Sequence, residues 1–333
     1  MFGRSFPKAS GSAVLWAPVS ALATALALIV TACHSTGPGG TTVQAASAVA
    51  APSANVVTDG VPACPADATV MDGWNDRAPP RRVFGNTWYV GTCGLTALLV
   101  TSEDGHVLID GGTESAGPLI EANIRALGFD PKNVKYLLNS HEHFDHAGGL
   151  AYLQGVTGAS LLARRPAIAT LRSGRSDRSD PQQLEEHSAF PPVAHVEALG
   201  DADTVQVGPL VLTAHATPGH TPGGTSWTWR SCDGERCLDI AYTDSVSAVS
   251  DDEYRYLDHP DMVGAFRRGL DTIATLPCDV QITPHPLVSD LFARLQGVPG
   301  SPLVNASACI LYAKAGIGRL EKRLADEAAG IQP

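Results

Sequence analysis

The chain has 333 residues and a formal net charge of −11, with 34 acidic and 23 basic side chains. This acidic balance argues against a nucleic-acid partner, because contacts to phosphates require a basic surface. Apolar residues make up 44% of the chain and charged residues only 17%, so the part beyond about residue 60 can bury a sizeable core.

Residues 1–33 have the features of a bacterial export signal. Two basic residues precede an apolar stretch at 13–30, which is short and broken by Pro18 and is therefore a poor membrane span. The segment ends in Val-Thr-Ala-Cys, which resembles a lipobox and predicts cleavage before Cys33 and lipidation of its thiol. An ordinary signal that is cleaved later, near Ala46, is the alternative. Removal of both basic residues would leave a net charge of 21 − 34 = −13.

The next segment has the composition of a flexible tether. Residues 34–58 contain no Lys, Arg, Asp or Glu and are dominated by Ala, Ser, Thr, Gly and Pro. We therefore expect a tether at 34–60 and one folded domain at 61–330. The exported protein is expected in the periplasm as a monomer, with the lipid on Cys33 as its membrane tether.

The folded part opens with strand-like runs that are separated by turns. Predicted strands lie at 82–90, 95–101, 106–110 and 134–138. The first three are expected to form an antiparallel meander. A helix is predicted at 114–127, where apolar residues recur at three- and four-residue steps until Gly128 ends the pattern.

The second half repeats this order of strands and helices without repeating the sequence. One or two predicted strands lie at 205–214, further predicted strands at 225–229, 238–242 and 280–283, and predicted helices at 261–276 and 310–324. Two halves that each combine a sheet with helices predict a layered α/β sandwich.

Three imidazoles and a carboxylate lie within six residues, directly after the strand at 134–138. In an extended segment alternate side chains share a face, so His141 and His143 can reach one ion. Asp145 and His146, beyond the bend, can reach a point a few ångströms away. The pattern therefore indicates two adjacent metal ions.

Two further histidines follow strand-like runs in rigid loops. His220 lies within Thr-Pro-Gly-His-Thr-Pro-Gly-Gly, and His285 lies between two prolines. Loops at the ends of scaffold strands are where functional sites are usually built. Asp110, in an Asp-Gly-Gly turn, is expected to support the ligands, and Gln182 is a candidate for the border of the pocket.

The cysteine count agrees with export. Setting Cys33 aside leaves six cysteines, enough for three disulfides. The favoured pairs are Cys232 with Cys237 across a tight turn, Cys64 with Cys93, and Cys278 with Cys309. The alternative is that some of these cysteines are buried free thiols.

The sequence at 141–146 is the unaltered His-X-His-X-Asp-His signature of the metallo-β-lactamase superfamily, which the chain resembles from about residue 60 to 325. Segments at 85–92, 219–223, 242–248 and 276–286 resemble the third subclass (B3) of class B β-lactamases. This resemblance implies a four-layer αβ/βα sandwich.

The resemblance also implies two Zn²⁺ per chain. His141, His143 and His220 would hold the first ion, and Asp145, His146 and His285 the second. The second subclass has an asparagine at the position of His141, and the first two place a cysteine ligand near Ser245, so this sequence departs from both.

The implied activity is hydrolysis of the β-lactam amide of penicillins, cephalosporins and carbapenems, which would confer antibiotic resistance. A hydroxide shared by the two ions would attack the carbonyl directly, since zinc lowers the pKa of bound water towards about 7. Asp145 would orient this nucleophile, and Ser245 and Ser247 would contact the carboxylate of the small-molecule substrate.

Two other functions remain open. The first is a thioester or lactone hydrolase that resembles glyoxalase II, whose relatives bridge their metals with an aspartate close to the position of Asp244. The second is an inert, lipid-anchored zinc-binding protein. The export signal, the cysteines and the two serines favour the β-lactamase, and no ligand is missing.

Overall fold

The computed structural model describes residues 60–184 and 188–331, which belong to one compact unit. The predicted signal at 1–33, its Cys33 and the tether up to residue 59 lie outside the described residues. Within the two described ranges, no helix is long and apolar enough to cross a membrane.

The first sheet has seven strands that follow one another in chain order. They are β1 (Arg81–Phe84), β2 (Thr87–Tyr89), β3 (Leu98–Ser102), β4 (Gly105–Ile109), β5 (Val134–Leu138), β6 (Ser160–Arg164) and β7 (Val196–Leu199). Strands β1 to β4 form the predicted antiparallel meander, whereas β4 to β7 are parallel. The predicted strand at 82–90 is divided into β1 and β2 by a turn at Gly85, whose φ is +53°.

The second sheet has five strands. They are β8 (Thr204–Val207), β9 (Leu210–Ala216), β10 (Thr225–Asp233), β11 (Arg236–Tyr242) and β12 (Val280–Ile282), in the order β12-β11-β10-β9-β8. All neighbours are antiparallel except β11 and β12, which are parallel. Strands β5 and β12 both belong to parallel pairs. The loops that follow their ends are positions where a functional site can be built.

The helices connect the strands and cover both sheets. They are α1 (Ala116–Ala126), α2 (Phe144–Ala147), α3 (Leu150–Thr157), α4 (Ile168–Ser173), α5 (Pro260–Ala274), α6 (Leu291–Leu295) and α7 (Ala308–Ala328). Helix α1 provides the crossover between the parallel strands β4 and β5, as a parallel connection requires.

Three apolar clusters define the layers. Leu98 of β3 lies in the core between the sheets, while its neighbour Leu99 packs in the cluster that includes α1 and α3, because successive side chains of a strand point to opposite faces. On the far side of the second sheet, Ala241 packs with Phe266 of α5 and Ala313 of α7. The layers are helix, sheet, sheet and helix, which confirms the predicted αβ/βα sandwich.

Three disulfides join the cysteines in the pairs favoured from the sequence. Cys64 is bonded to Cys93, Cys232 to Cys237 across the β10–β11 hairpin, and Cys278 to Cys309. The last bond ties the segment before β12 to the first turn of α7. It closes a loop of 31 residues and so constrains where the final helix begins.

Candidate metal centre

The six predicted metal ligands lie at the ends of strands or just beyond them. His141 and His143 follow β5, and Asp145 and His146 lie in the short helix α2. Two other loops supply the remaining ligands: the β9–β10 connection carries His220, and the segment after β12 carries His285. Three separate segments of chain therefore converge on one site.

The first three histidines form one compact group. Each of His141, His143 and His220 offers a ring nitrogen, and these atoms lie within 4.8 Å of one another. Their ring centroids are 4.8 to 5.0 Å apart. Three nitrogens at this separation match the donor set of a zinc site that keeps a position open.

A second group adjoins the first. His141, Asp145 and His146 also offer ligand atoms within 4.8 Å of one another. His285 completes this side of the site, because its Nε2 lies 3.4 Å from Asp145 Oδ2 and its ring lies 5.1 Å from that of His146. The structure thus brings all six predicted residues together, with His285 in contact with the second group rather than within it.

Hydrogen bonds on the outer side of each ring determine which nitrogen faces the site. His141 Nδ1 lies 2.8 Å from Asp244 Oδ1, and His220 Nδ1 lies 3.1 Å from the carbonyl oxygen of Ser247. In both residues Nε2 is therefore available to a metal. His143 is turned the other way, because its Nε2 lies 3.1 Å from Asp180 Oδ1 and leaves Nδ1 for the ion.

Buried ligand atoms without partners show that these residues suit a metal. Among the described residues, His141 Nε2 and both ring nitrogens of His146 are buried without a hydrogen-bond partner. Buried polar atoms are rarely left unpaired. A bound cation would satisfy the nitrogens that face the site, so the chain's own residues fit the metal that the fold implies.

The protonation states favour metal binding at two of the histidines. Burial holds the pKa of His141 well below its usual range and lowers the pKa of His220 to about 3, which keeps both rings neutral and able to coordinate. Burial also acts to lower the pKa of His143, but the nearby carboxylates, led by Asp180, outweigh it and raise this pKa.

Asp110 supports the site from below, as the sequence analysis expected. Its buried carboxylate accepts hydrogen bonds from the Ser140 amide at 2.6 Å, the Ser140 hydroxyl at 2.7 Å and the Tyr242 hydroxyl at 2.6 Å. Its φ of +64° places a non-glycine residue in the left-handed region. Because Ser140 immediately precedes His141, this network positions the start of the motif.

Two supporting residues were missed by the sequence analysis. Asp180 contacts His143 as described, and Glu142 accepts hydrogen bonds from the Thr221 hydroxyl and the Gly223 amide, both at 2.8 Å. Glu142 therefore ties the motif to the loop that carries His220. Their partners are 37 to 81 residues away in the chain, so no local pattern marks them.

Asp244 does not lie between the two ligand groups. Its carboxylate is fully buried and contacts the outer nitrogen of His141. Burial raises the pKa of this carboxyl well above its usual range. The structure thus places Asp244 as a support for His141, and not where a metal-bridging aspartate would come.

A cavity of about 400 Å³ opens over the centre. His143, Asp145, His220 and His285 line its base. Its walls include the predicted substrate contacts Ser245 and Ser247, and also Gln182, Met71, Trp74, Val249 and Val288. Ser247 has a second contact, since its hydroxyl lies 3.0 Å from His220 Nδ1.

Solved structures with this fold are similar to this chain over nearly their whole length. The metallo-β-lactamase MIM-1 from Novosphingobium pentaromativorans is 50% identical, with a TM-score of 0.76, and the alignment covers 80% of this chain and 97% of that one. MEM-A1, a subclass B3 metallo-β-lactamase isolated from a soil metagenome library, is 42% identical, with a TM-score of 0.73 and coverage of 77% and 99%.

Sequence comparison gives a broader set of relatives. A profile of the metallo-beta-lactamase superfamily matches residues 90–234. The N-acyl homoserine lactonase AttM of Agrobacterium fabrum is 28% identical in an alignment of 177 residues that covers 44% of this chain. The chain spans less than two thirds of this relative's length, 64%. From the fold, the converging ligands and the similarity to the solved enzymes, the chain belongs to the metallo-β-lactamase superfamily and, within it, to subclass B3.

Proposed function

We propose that this protein is a zinc-dependent β-lactamase that hydrolyses the lactam amide of penicillins, cephalosporins and carbapenems. The observation that carries the proposal is the convergence of the two ligand groups at the base of one open cavity. The similarity to MIM-1 and MEM-A1 supports the same substrate class. Destruction of the antibiotic would confer resistance on the cell.

In this proposal the centre holds two Zn²⁺. His141, His143 and His220 would hold one ion, and Asp145, His146 and His285 the other. Bound zinc supplies a water of lowered pKa and a Lewis acid for the carbonyl oxygen. The chain's own part is to orient the ligands, which the outer contacts of His141, His143 and His220 do. Burial in addition keeps His141 and His220 neutral.

Asp145 has a further role in the proposal. Burial would raise the pKa of its carboxyl, but His146 and His285 outweigh burial and hold this pKa well below its usual range. The group therefore stays ionised near neutral pH. Its Oδ2 lies 3.2 Å from His146 Nε2, and an ionised carboxylate at this point can accept a hydrogen bond from the attacking water and orient it.

The main alternative is a lactone or thioester hydrolase. The similarity to the lactonase AttM favours lactones within this alternative. The position of Asp244 argues against it, because an aspartate that contacts the outer nitrogen of His141 is not in place to bridge two metals. The β-lactamase function therefore has the better support.

Turnover of matched substrates tests the proposal. The chain from residue 34 to 333, loaded with zinc, would be assayed with a carbapenem, an N-acyl homoserine lactone and a glutathione thioester, with and without a chelator. We expect chelator-sensitive hydrolysis of the carbapenem. Hydrolysis of the lactone or the thioester without the carbapenem would overturn the proposal, and zinc binding with no turnover would favour an inert binding protein.

We also propose that the protein acts in the periplasm as a monomer, tethered through a lipid on Cys33. The composition of residues 1–60 supports export and the tether. Mass spectrometry of the mature amino terminus would detect the lipid, and light scattering of the tether-free domain would give its oligomeric state. An unmodified terminus near Ala46 would show ordinary signal cleavage instead.

A further inference from the structure

The cavity over the metal centre contains one Lys or Arg side chain among the described residues that line it, and this side chain is Arg319. The other ionisable groups of the lining are Asp145, Tyr312 and the ligand histidines His143, His220 and His285. Penicillins, cephalosporins and carbapenems carry a carboxylate beside the lactam nitrogen. Their anionic end thus needs a partner in a cavity whose base is occupied by the metal ligands.

Helix α7 lies along the segment that carries the two cavity serines. Tyr312, Gly316 and Arg319 are spaced by four and three residues and so share one face of α7. The Tyr312 hydroxyl donates to the carbonyl oxygen of Asp244 at 3.1 Å. A Cβ on Gly316 would lie 3.0 Å from Cβ of Val246, so the helix approaches this segment closely.

Arg319 completes this row of contacts. Its Nε donates to the carbonyl oxygen of Val246 at 3.4 Å, and Val246 is the residue between Ser245 and Ser247. The bond is long and engages only one of the five guanidinium donors. Arg319 is therefore held beside the serines, and none of the described residues accepts a hydrogen bond from its terminal nitrogens.

The charge of Arg319 is not neutralised within the described part of the chain. No carboxylate oxygen of the described residues forms a salt bridge with it. The next arginine on this face, Arg323, differs in this respect: its Nε lies 2.6 Å from Glu327 Oε1, and its Nη2 donates to the Ser250 hydroxyl. Arg319 is also exposed, as a group that meets an incoming anion must be.

We propose that Arg319 binds the carboxylate of the β-lactam, together with the hydroxyls of Ser245 and Ser247. The inference rests on the proposed function and deepens it, because it names the group that recognises the substrate's anionic end. A planar guanidinium can pair with a carboxylate through two parallel hydrogen bonds. Because the carboxylate takes no part in the bond cleavage and would be held equally in the bound substrate and in the transition state, loss of this contact raises KM and leaves kcat nearly unchanged.

The test compares Arg319→Ala and Arg319→Lys with the control Lys314→Ala. Lys314 is an exposed, positively charged residue of the same helix, but it does not line the cavity. Each zinc-loaded variant is assayed with a penicillin and with its methyl ester. For the acid we expect Arg319→Ala to raise KM by roughly three- to tenfold, as a lost exposed charge-assisted contact would. Arg319→Lys should recover part of this loss.

The ester provides the readout that a general structural effect would not reproduce. The KM for the ester should be the same in the wild type, Arg319→Ala and Lys314→Ala, and melting temperatures should confirm that each variant is folded. An unchanged KM for the acid in Arg319→Ala, or an equal rise in KM for acid and ester, would overturn the role of Arg319 but not the proposed function. Absence of β-lactam turnover in the wild type would instead overturn the proposed function and this inference with it.

Discussion

The carboxylate of Asp244 lies 2.8 Å from Nδ1 of His141, and both side chains are fully buried. The two residues are 103 positions apart in the chain. This contact directs Nε2 of His141 towards the site, where both ligand groups include His141. One outer hydrogen bond thus orients the ligand that the two groups share.

Asp244→Ala is expected to weaken metal binding by about 10- to 100-fold, the usual loss when the outer partner of a ligand histidine is removed. The truncation leaves Nδ1 of His141 buried without a partner and its ring free to turn. Competition with a chromophoric chelator measures the affinity. Asp239→Ala, five residues earlier in strand β11 and with a partly exposed side chain, is the control. Equal affinities for the two variants would contradict this role for Asp244.

Zinc binding should release more protons at pH 6 than at pH 8.5. The raised pKa of His143 means that the metal-free ring keeps a proton at pH values where a free imidazole, with a pKa of about 6.5, has lost it. The incoming metal must displace this proton. Calorimetry in buffers of different ionisation enthalpy counts the protons released.

Asp180→Asn should reduce this release near neutral pH. The contact with His143 outweighs burial and lowers the pKa of Asp180 to about 2, so the carboxylate is ionised throughout the range tested. Its replacement by a neutral amide removes the main cause of the raised pKa of His143. Identical proton counts for the variant and the wild type at pH 6 would show that Asp180 does not control this ring.

Gly219→Ala is expected to lower the free energy of unfolding by roughly 1–3 kcal/mol, as overpacking does, and to weaken metal binding as well. Gly219 has a φ of +147°, and a Cβ there would overlap the ring of Phe266. Because His220 is the next residue, relief of the overlap would displace a ligand.

Gly155→Ala is the matched control for this change. Gly155 lies within helix α3 and a Cβ would meet no atom within 4 Å, so alanine should stabilise the fold by about 0.4–1 kcal/mol. Urea titrations of both variants give the sign of the change in the free energy of unfolding for each. Destabilisation of similar size in both would contradict the assignment of the Gly219 effect to the overlap with Phe266.

Removal of the Cys278–Cys309 disulfide should cost about 2–5 kcal/mol of stability, since it closes a loop of 31 residues. The Cys278→Ser, Cys309→Ser double variant also loosens the start of α7, the helix that carries Arg319. We therefore expect a lower melting temperature together with a higher KM for the acid substrate. An unchanged melting temperature would show that the packing of α5 against α7 suffices to hold the helix.

The local features of the site were readable from the sequence. The spacing of His141, His143 and Asp145 after a buried strand predicts a metal site because strand periodicity decides which neighbours share a face. His220 and His285 were indicated as ligands by a different local feature, the prolines and glycines that make their loops rigid. The antiparallel meander and the main helices followed from apolar spacing, which reports burial within one element.

The short parallel strands β6 and β7 were not anticipated. Strand β6 has the sequence Ser-Leu-Leu-Ala-Arg and is buried or nearly so throughout, and β7 has only four residues. A short strand that is buried on both faces lacks the alternation that distinguishes a strand from a helix. Its assignment depends on the neighbouring strands with which it pairs.

By itself, the sequence determined which residues could bind metal, since ligand chemistry and spacing are properties of a few adjacent positions. Only the tertiary structure decided how those residues are oriented: Asp244 supports His141 rather than bridging metals, Asp180 turns His143, and Arg319 reaches the cavity from the last helix. These contacts join positions 37 to 103 residues apart. Packing of the two sheets and their helices brings such distant segments together, and no local periodicity encodes it.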